Sequence, residues 1–503
     1  MTYEVVVVGG GIGGLTTAAL LAARGINVCL IERAARAGGC VASHEESGYE
    51  FEPAASVYTG WQPNGIHRRI FAELPVAAPE VYSATPAYVV RLPDRTQISL
   101  TENDAEFADS LGAAFPECAA EAVKFYKDLV PVADALESAM RRVPDLVTAS
   151  GLRRASIMAH SPFAMRRVTA TLHHTAARYL DGTSMRFRRF VDVQLQMLAQ
   201  LTSGDCAYPY AALALTMPRC ASYAIRGGAT ALVNTLLEAI KKSGGTVRLN
   251  SPVLRLIYGA NGRAEGVQLL SGEAVQATRA VVSNLTIWDT YGKLVGADHT
   301  PNNIRARLKT LRGWGAYLLL LGLDEQAAKR LPVDRVLALT DWQEEREYQP
   351  EEAQFMFAAA PFGETRAPAG KRAVTVSTFT EAEQWFAFHE DEAAHEAQDQ
   401  RALEFWWQKI HREMPELGGD DVEIIETVTP FDYYETTRRK LGMVGGIGQS
   451  PDVFGRNALS HLTAIPNLYT VGDTVFPGQG VAAVTHAALI VANAIAPSIK
   501  REN

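Results

Sequence analysis

The sequence predicts an α/β fold, with a Rossmann-like dinucleotide-binding domain built from discontinuous segments and a second domain of mixed sheet and helix. Three observations predict this fold. An apolar strand at residues 5–8 runs into a glycine-rich turn and then into a helix. A second glycine-rich turn, at residues 472–480, follows another apolar strand. Between the turns lie two long excursions and a helix-and-strand pattern at residues 223–283, so both ends of the chain are expected in one domain.

The first turn has the Gly-x-Gly-x-x-Gly spacing of a dinucleotide-binding loop. Gly9 permits the tight turn, Gly11 lets the backbone approach a diphosphate, and Gly14 lets the helix lie close to the strand. Ile12 and Gly13 belong to the turn that leads into the helix expected at residues 15–24, where free N–H groups and the positive helix end meet the phosphates. Alone the motif is weak evidence, because a turn in any doubly wound sheet can contain it.

A carboxylate at the end of the next strand adds to the evidence. Glu32 follows the strand at residues 27–31, at close to the roughly 20-residue distance expected for an acid that binds an adenosine ribose. Its carboxylate can accept hydrogen bonds from both ribose hydroxyls, which disfavours NADP. The residues that follow are expected where the chain crosses back over the diphosphate, and they are Arg33, Gly38, Gly39 and Cys40.

The C-terminal glycine turn predicts contacts to a flavin. Asp473 follows Gly472 at the end of a buried strand and can bond a ribitol hydroxyl. Gly480 and Val481 then start a helix whose positive end would stabilise negative charge on the flavin ring. No second glycine-rich turn of the first kind follows a strand, which argues against a separate NADH domain. FAD is therefore the predicted cofactor, and the backbone near Val253 is expected to face its adenine.

Composition sets limits on function. A net charge of −8 gives no reason to expect nucleic acid as a partner. The five cysteines have no Cys-x-x-Cys spacing, so neither a redox disulfide nor a metal site is predicted. The first strand begins by Tyr3, which leaves no room for a signal peptide ahead of it, and no apolar run reaches the length of a membrane span. We expect an intracellular, cytoplasmic protein.

The pattern divides the chain into three parts. The FAD-binding domain is expected at residues 1–70, 223–298 and 438–503, a helical substrate and membrane-facing part at residues 71–222, and a sheet-and-helix substrate domain at residues 299–437. Helices are expected at residues 102–111, 117–136 and 393–413, and strands at residues 314–322 and 374–378. The last part would roof an apolar cavity over the flavin.

A basic run within the second part allows two interpretations. Residues 152–191 contain one acid, Asp181, in an otherwise acidic protein. The arginines of this run are Arg153, Arg154, Arg166, Arg167, Arg178, Arg186, Arg188 and Arg189. They are expected either to rest on anionic lipid or to form a solvated helical face whose arginines pair with acids elsewhere.

Several stretches resemble the carotenoid desaturase and isomerase family of FAD flavoproteins, which includes the phytoene desaturases. The matching stretches are residues 38–40, 48–52, 55–57, 65–71, 190–196, 444–449 and 472–481, and they extend over nearly the whole chain. Residues 65–71 and 444–449 are most similar to the carotenoid 3′,4′-desaturases, whereas residues 476–481 are more similar to the prolycopene isomerases. Residues 53–55 depart from the glycine that the family has beside the flavin.

The resemblance implies a fold of the amine-oxidase and glutathione-reductase type, with FAD as the only cofactor. It also implies a lipophilic polyene substrate that passes the flavin, peripheral attachment to a membrane, and Ala55 and Ser56 beside the flavin. It implies nothing about the oligomeric state.

Three functions remain open at this stage. The first is desaturation of an acyclic C40 carotenoid, in which an allylic hydride passes to flavin N5 and a proton then leaves. The second is cis–trans isomerisation, or saturation of a retinoid or carotenoid, with reduced flavin. The third is lipid carriage without catalysis, as in the prenyl-chain carriers related to GDP-dissociation inhibitors, which the intact Glu32 and Asp473 disfavour.

The sequence assigns no catalytic residue. The candidates for proton transfer are Glu435, Arg438 and His486, and for each a structural role is the alternative.

Overall fold

The computed structural model describes residues 1–53, 56–145, 155, 162–331, 333–361, 363–364, 366–387, 391–417, 421–455 and 458–497. Its strands, numbered in chain order, are β1 (Thr2–Val8), β2 (Val28–Ile31), β3 (His44–Glu46), β4 (Tyr49–Phe51), β5 (Val81–Ser83), β6 (Val89–Arg91), β7 (Gln97–Ser99), β8 (Tyr223–Ile225), β9 (Thr246–Arg248), β10 (Val253–Tyr258), β11 (Ala264–Leu269), β12 (Ala274–Ser283), β13 (Gly315–Asp324), β14 (Arg335–Leu339), β15 (Gln354–Ala359), β16 (Lys371–Thr380), β17 (Val422–Val428) and β18 (Leu468–Thr470).

Its α-helices of six or more residues are α1 (Ile12–Ala23), α2 (Ile66–Phe71), α3 (Asp104–Ala114), α4 (Ala119–Arg142), α5 (Pro162–Thr171), α6 (Met185–Ala199), α7 (Tyr208–Cys220), α8 (Gly228–Lys242), α9 (Asn302–Leu308), α10 (Glu392–Glu413), α11 (Pro430–Thr437) and α12 (Val481–Ile495). The predicted helices at residues 102–111, 117–136 and 393–413 correspond to α3, α4 and α10.

The first sheet joins the two ends of the chain, as predicted. Its strand order is β10-β11-β12-β1-β2-β9, and β18 pairs with β12. The strands β9, β2, β1, β12 and β18 are parallel, whereas β10 and β11 form an antiparallel edge. The last four residues of β1 are buried valines, which suits a parallel strand covered on both faces. The helices α1, α8 and α12 cover one face of this sheet.

The second sheet has the order β17-β13-β16-β15-β14-β6-β7. It is antiparallel except where β14 meets β6. The predicted strands at residues 314–322 and 374–378 correspond to the neighbouring strands β13 and β16. The segment at residues 71–222 has the expected helices and also supplies β6 and β7, which with three residues each are too short to show strand periodicity. The three-part division of the chain stays a prediction.

The basic run divides into two groups. Arg189 is buried and donates hydrogen bonds to the carbonyls of Trp342 and Gln343, and it pairs with Asp192 at 3.3 Å. Arg186 and Arg188 also bond within the protein. In contrast, Arg166, Arg167 and Arg178 are exposed. Arg153 and Arg154 lie outside the described residues. In the part of the chain that the structure describes, no helix is both long and apolar enough to cross a membrane.

Candidate flavin and substrate cavity

A cavity of about 950 Å³ lies between the first sheet, the second sheet and α7. The residues predicted to bind the cofactor that line it are Gly9, Gly11, Ile12, Gly13, Glu32, Gly38, Gly39, Cys40, Ser56, Gly472, Asp473, Gly480 and Val481. The structure therefore brings the two glycine-rich turns together.

Three predicted contacts lie outside the cavity wall. Gly14 packs beneath the turn, Arg33 donates hydrogen bonds to the carbonyls of Glu435 and Thr436, and Val253 begins the edge strand β10. Ala55 lies outside the described residues.

The first glycine turn is packed so closely that side chains do not fit. A Cβ at Gly14 would lie 2.1 Å from the carbonyl oxygen of Gly9, so helix α1 can approach β1 only with glycine there. Gly11 forms a bridge to Gly38, as expected for a chain that crosses back over a diphosphate. This geometry agrees with the roles that the spacing predicts for the glycines.

Asn284 completes this turn and was not found from the sequence. A Cβ at Gly11 or Gly13 would lie 2.7 or 2.6 Å from its carboxamide, and its Nδ2 is 3.4 Å from the carbonyl oxygen of Gly9. Asn284 directly follows β12, at the carboxyl end of the strand beside β1, where ligands bind in open α/β sheets. That position is the signal that could have identified it.

The carboxylate of Glu32 is held in place by the backbone. It accepts hydrogen bonds from the N–H groups of Gly10 at 2.6 Å and Ala34 at 2.8 Å, and it lines the cavity. The carboxylate lies next to the glycine turn, where the adenosine ribose is expected.

Asp473 forms a buried ion pair with Arg439, a residue that the sequence analysis missed. Arg439 Nη2 lies 2.8 Å from Asp473 Oδ2, and the two side chains are 16% and 14% exposed. Arg439 Nε also donates to the carbonyl of Met443 at 2.7 Å. Burial raises the pKa of the nearby Cys40 thiol, against a smaller opposite effect of Arg439, so Cys40 stays protonated and uncharged.

A second buried ion network is centred on Glu52. Glu52 accepts hydrogen bonds from the hydroxyls of Ser56 and Tyr58 and from the N–H of Ala229, and it lies 3.4 Å from Arg366. Burial raises the pKa of Glu52, but Arg366 and the three donors outweigh burial and hold the pKa below its usual range. Ser56 has a left-handed backbone with φ of 52°, which this network stabilises.

The candidates for proton transfer lie in two different environments. Glu435 and Arg438 form a partly exposed ion pair with each other at 2.5 Å. His486 is buried in the cavity wall, and its Nε2 lies 3.1 Å from the carbonyl oxygen of Pro144. Burial lowers the pKa of His486 to about 4, so the imidazole is neutral near pH 7.

In the half of the cavity beyond the glycine turns, the lining residues of α7 and of strands β13 to β16 are uncharged, whereas β17 adds Glu426 to the lining. Tyr210, Leu213, Ala214 and Met217 recur at helical spacing and form the α7 wall. The opposite wall comes from the second sheet, and its lining residues on β13 to β16 are Ala316, Leu318, Leu337, Gln354, Met356, Ser377, Thr378 and Phe379. This half of the cavity can hold an apolar ligand beside the flavin site.

The mouth of this half is polar. Glu137 near the end of α4 accepts hydrogen bonds from Gln62 and Arg141, each at 3.3 Å, and all three residues line the cavity.

One group of residues has the geometry for a metal ion. His44, Glu46 and Glu426 place their ligand atoms within 4.8 Å of one another. His44 Nε2 and Glu426 Oε2 already lie 2.5 Å apart, and both side chains are more than one-third exposed. A hydrogen-bonded surface pair accounts for this arrangement.

The cavity fits FAD. The glycine turns leave a cradle for a diphosphate, Glu32 and Asp473 offer carboxylates for the two sugar parts, and Gly480 places the N-terminus of α12 at the wall. A sequence profile described as "flavin containing amine oxidoreductase" matches residues 12–496. The chain belongs to this family. FAD is the cofactor of the family, and the prediction of an FAD-binding α/β protein is confirmed.

Curated relatives extend over nearly the whole chain. Prolycopene isomerase of Daucus carota is 23% identical across 99% of this chain and 81% of its own length. All-trans-retinol 13,14-reductase of Danio rerio is 24% identical across 97% of this chain and 86% of its own length. These matches agree with the resemblance to carotenoid desaturases and isomerases.

The solved structure of putrescine oxidase bound to putrescine superposes with a TM-score of 0.65 at 14% identity, across 98% of this chain and 99% of the other. This likeness shows the fold.

Proposed function

We propose that the protein is an FAD-dependent enzyme that isomerises or saturates a conjugated polyene of the carotenoid or retinoid class. The observation that carries this proposal is the continuity of the FAD cleft with the uncharged lining residues of α7 and of strands β13 to β16. A polyene has no charge for an enzyme to pair, so its binding depends on apolar area removed from water.

The relatives support a reaction with reduced flavin. One is named for an isomerisation of prolycopene and the other for a reduction of retinol. When bound, the flavin would supply or take up the hydride. The residues of this chain would exclude water and hold the reacting double bond beside the flavin.

Desaturation is the second candidate. Residues 444–449 are similar to the 3′,4′-desaturases, and within that stretch Val444 and Gly445 line the cavity. The candidate reactions differ in their electron balance, because desaturation reduces oxidised flavin, saturation oxidises reduced flavin, and isomerisation leaves the flavin unchanged.

The experiment that separates these reactions is anaerobic incubation of FAD-loaded protein with an acyclic carotenoid or retinol in liposomes. The flavin and polyene spectra are followed together. Action by pre-reduced protein only, with a change of polyene geometry or loss of one double bond, supports the proposal. Bleaching of oxidised flavin in step with a red shift of the polyene establishes desaturation instead.

A pair of variants tests whether the apolar half of the cavity binds the substrate. Met217→Trp fills the apolar half and should abolish polyene turnover while the flavin content stays at the wild-type level. Met185→Trp, at a residue that is 43% exposed, is the control and should act as wild type. Full turnover by Met217→Trp would contradict the assignment of this half to the substrate.

We also propose that the protein binds membranes peripherally, through the exposed arginines of α5. Arg166 and Arg167 carry no ion pair in the described part of the chain and are exposed on a helix that packs on α4. Reversing both charges should reduce binding to anionic phosphatidylserine vesicles, and the same reversal at Lys241 and Lys242 should not. Equal loss in both double variants would indicate a nonspecific charge effect.

A further inference from the structure

Arg439 stands out among the arginines of the cavity wall. Arg36 and Arg141 lie on the rim, with side chains 69% and 45% exposed, and Arg69 is next to His486. Arg439 instead lies between Asp473 and Cys40, which follow the glycines of two separate segments. Arg36 also precedes Gly38, but its side chain is exposed and pairs with Glu45, so Arg439 is the less exposed of the two arginines near the glycine turns.

The acidic residues around the glycine turns favour a positively charged side chain at this part of the cavity. Glu32, Asp289 and Asp473 all line this part of the cavity. Lys293 lies 2.8 Å from Asp289, and Arg439 lies 2.8 Å from Asp473. FAD adds the negative charges of its diphosphate to this region. Backbone N–H groups and a helix end supply only partial positive charges, so a full positive charge nearby would add to binding.

The hydrogen bonds of Arg439 leave part of its guanidinium available. Nε donates to Met443 and Nη2 donates to Asp473. Nη1 makes no hydrogen bond to the described part of the chain, and Arg439 lines the cavity. A planar guanidinium can bind a carboxylate on one side and a phosphate on another.

We infer that Arg439 binds the diphosphate of FAD while it keeps its ion pair with Asp473. Arg439 thereby connects the residues before the C-terminal strand to the cofactor. This inference rests on the FAD cofactor of the family and is independent of the polyene reaction proposed above.

The test measures the affinity of apoprotein for three ligands without any substrate. FAD binding is followed by quenching of flavin fluorescence, ADP binding by competition with FAD, and riboflavin is the probe without phosphate. Arg439→Met should weaken binding of both FAD and ADP by about tenfold to hundredfold and leave riboflavin unchanged. The salt dependence of ADP binding should also become shallower. Arg263→Met, at an arginine that does not line the cavity and whose side chain is 49% exposed, should leave all three affinities unchanged.

A double variant distinguishes a phosphate contact from mere neutralisation of Asp473. ADP has no ribitol, so its binding does not depend on the sugar contact expected of Asp473. If Arg439 binds the diphosphate, Arg439→Met with Asp473→Asn should bind ADP as weakly as Arg439→Met alone. Recovery of wild-type ADP affinity in the double variant would overturn the inference.

A conservative variant keeps the test informative if the methionine variant does not fold. Arg439→Lys retains the charge but not the fork of donors, so its ADP affinity should fall by a smaller factor. The thermal midpoint of each apoprotein checks that the fold is intact. Wild-type ADP affinity in a folded Arg439→Met protein, or no salt-dependent loss in either variant, would show that Arg439 has only a structural role.

Discussion

Replacement of Glu52 is expected to lower the stability of the protein strongly, because the side chain makes several buried contacts. The carboxylate accepts from Tyr58 at 2.6 Å and from the N–H of Ala229 at 2.8 Å, and it pairs with Arg366. Its own carbonyl accepts from Thr375 of the second sheet at 2.8 Å. Glu52 therefore links the flavin-side segment, the start of α8 and the substrate-side sheet.

The magnitude follows from these contacts. Removing one partner of a buried ion pair costs about 3–5 kcal/mol. Glu52→Ala should lower the free energy of unfolding by about this amount, because three donors are left without an acceptor. Glu52→Gln should lose about 2 kcal/mol, since the amide oxygen still accepts and Arg366 keeps Glu364 at 2.8 Å. With an unfolding entropy of about 2.1 cal/mol/K per residue, the alanine variant should melt about 3–5 °C lower.

Calorimetry of the FAD-loaded protein measures these shifts. Glu50→Gln is the matched control, because within the described ranges the Glu50 carboxylate accepts from two hydroxyls alone, those of Ser43 and Thr230, each at 2.8 Å. The Glu50→Gln variant should lose about 1 kcal/mol of unfolding free energy. A Glu52→Ala protein that melts within 1 °C of wild type would refute the reasoning.

The pH dependence has a defined sign. The pKa of Glu52 is lowered in the folded protein, so its ionised form contributes stability above the unfolded pKa of about 4.3. The difference in melting temperature between wild type and Glu52→Gln should be constant from pH 6 to pH 8. It should shrink as the pH falls below about 4.

Three further outcomes are expected. Glu32→Ala removes the carboxylate that is expected to accept from the two ribose hydroxyls, so FAD should dissociate about a hundredfold more readily in a fluorescence titration, and unchanged affinity would contradict the ribose assignment. Gly14→Ala places a Cβ 2.1 Å from the oxygen of Gly9 and should yield flavin-free protein, whereas Gly112→Ala, with its nearest neighbour at 3.9 Å, should purify with wild-type flavin content. The pKa of His486 is lowered from 6.5 to about 4, so wild type should lose stability as the pH falls between these values. His486→Gln should lose less over that interval, and an identical pH dependence would show that His486 does not titrate there.

Local patterns account for what the sequence predicted well. The glycine turn and Glu32 belong to one short strand, turn, helix and strand, and their spacing alone determines their geometry. The strand β13 was recognised from its long apolar run, and β16 only from the shorter stretch at residues 374–378.

The residues that sequence reasoning missed depend on contacts between distant segments. Asn284 reaches the glycine turn because β12 pairs with β1 across more than half of the chain. Arg439 meets Asp473 through the fold around residues 443–446, which no periodicity reveals. The basic run shows the same limit, since Arg189 is buried against loop carbonyls whereas Arg166, with the same sequence character, is exposed.

The pairing of opposite chain ends in one sheet has a consequence for biosynthesis. The wall at Gly472 to Val481 is synthesised more than 450 residues after the turn at residues 9–14. The nascent chain therefore lacks one side of the cofactor cleft until both segments have been made, so the cleft cannot enclose FAD before that point. A chain that terminates before α12 retains the complete glycine turn and still cannot enclose the cofactor.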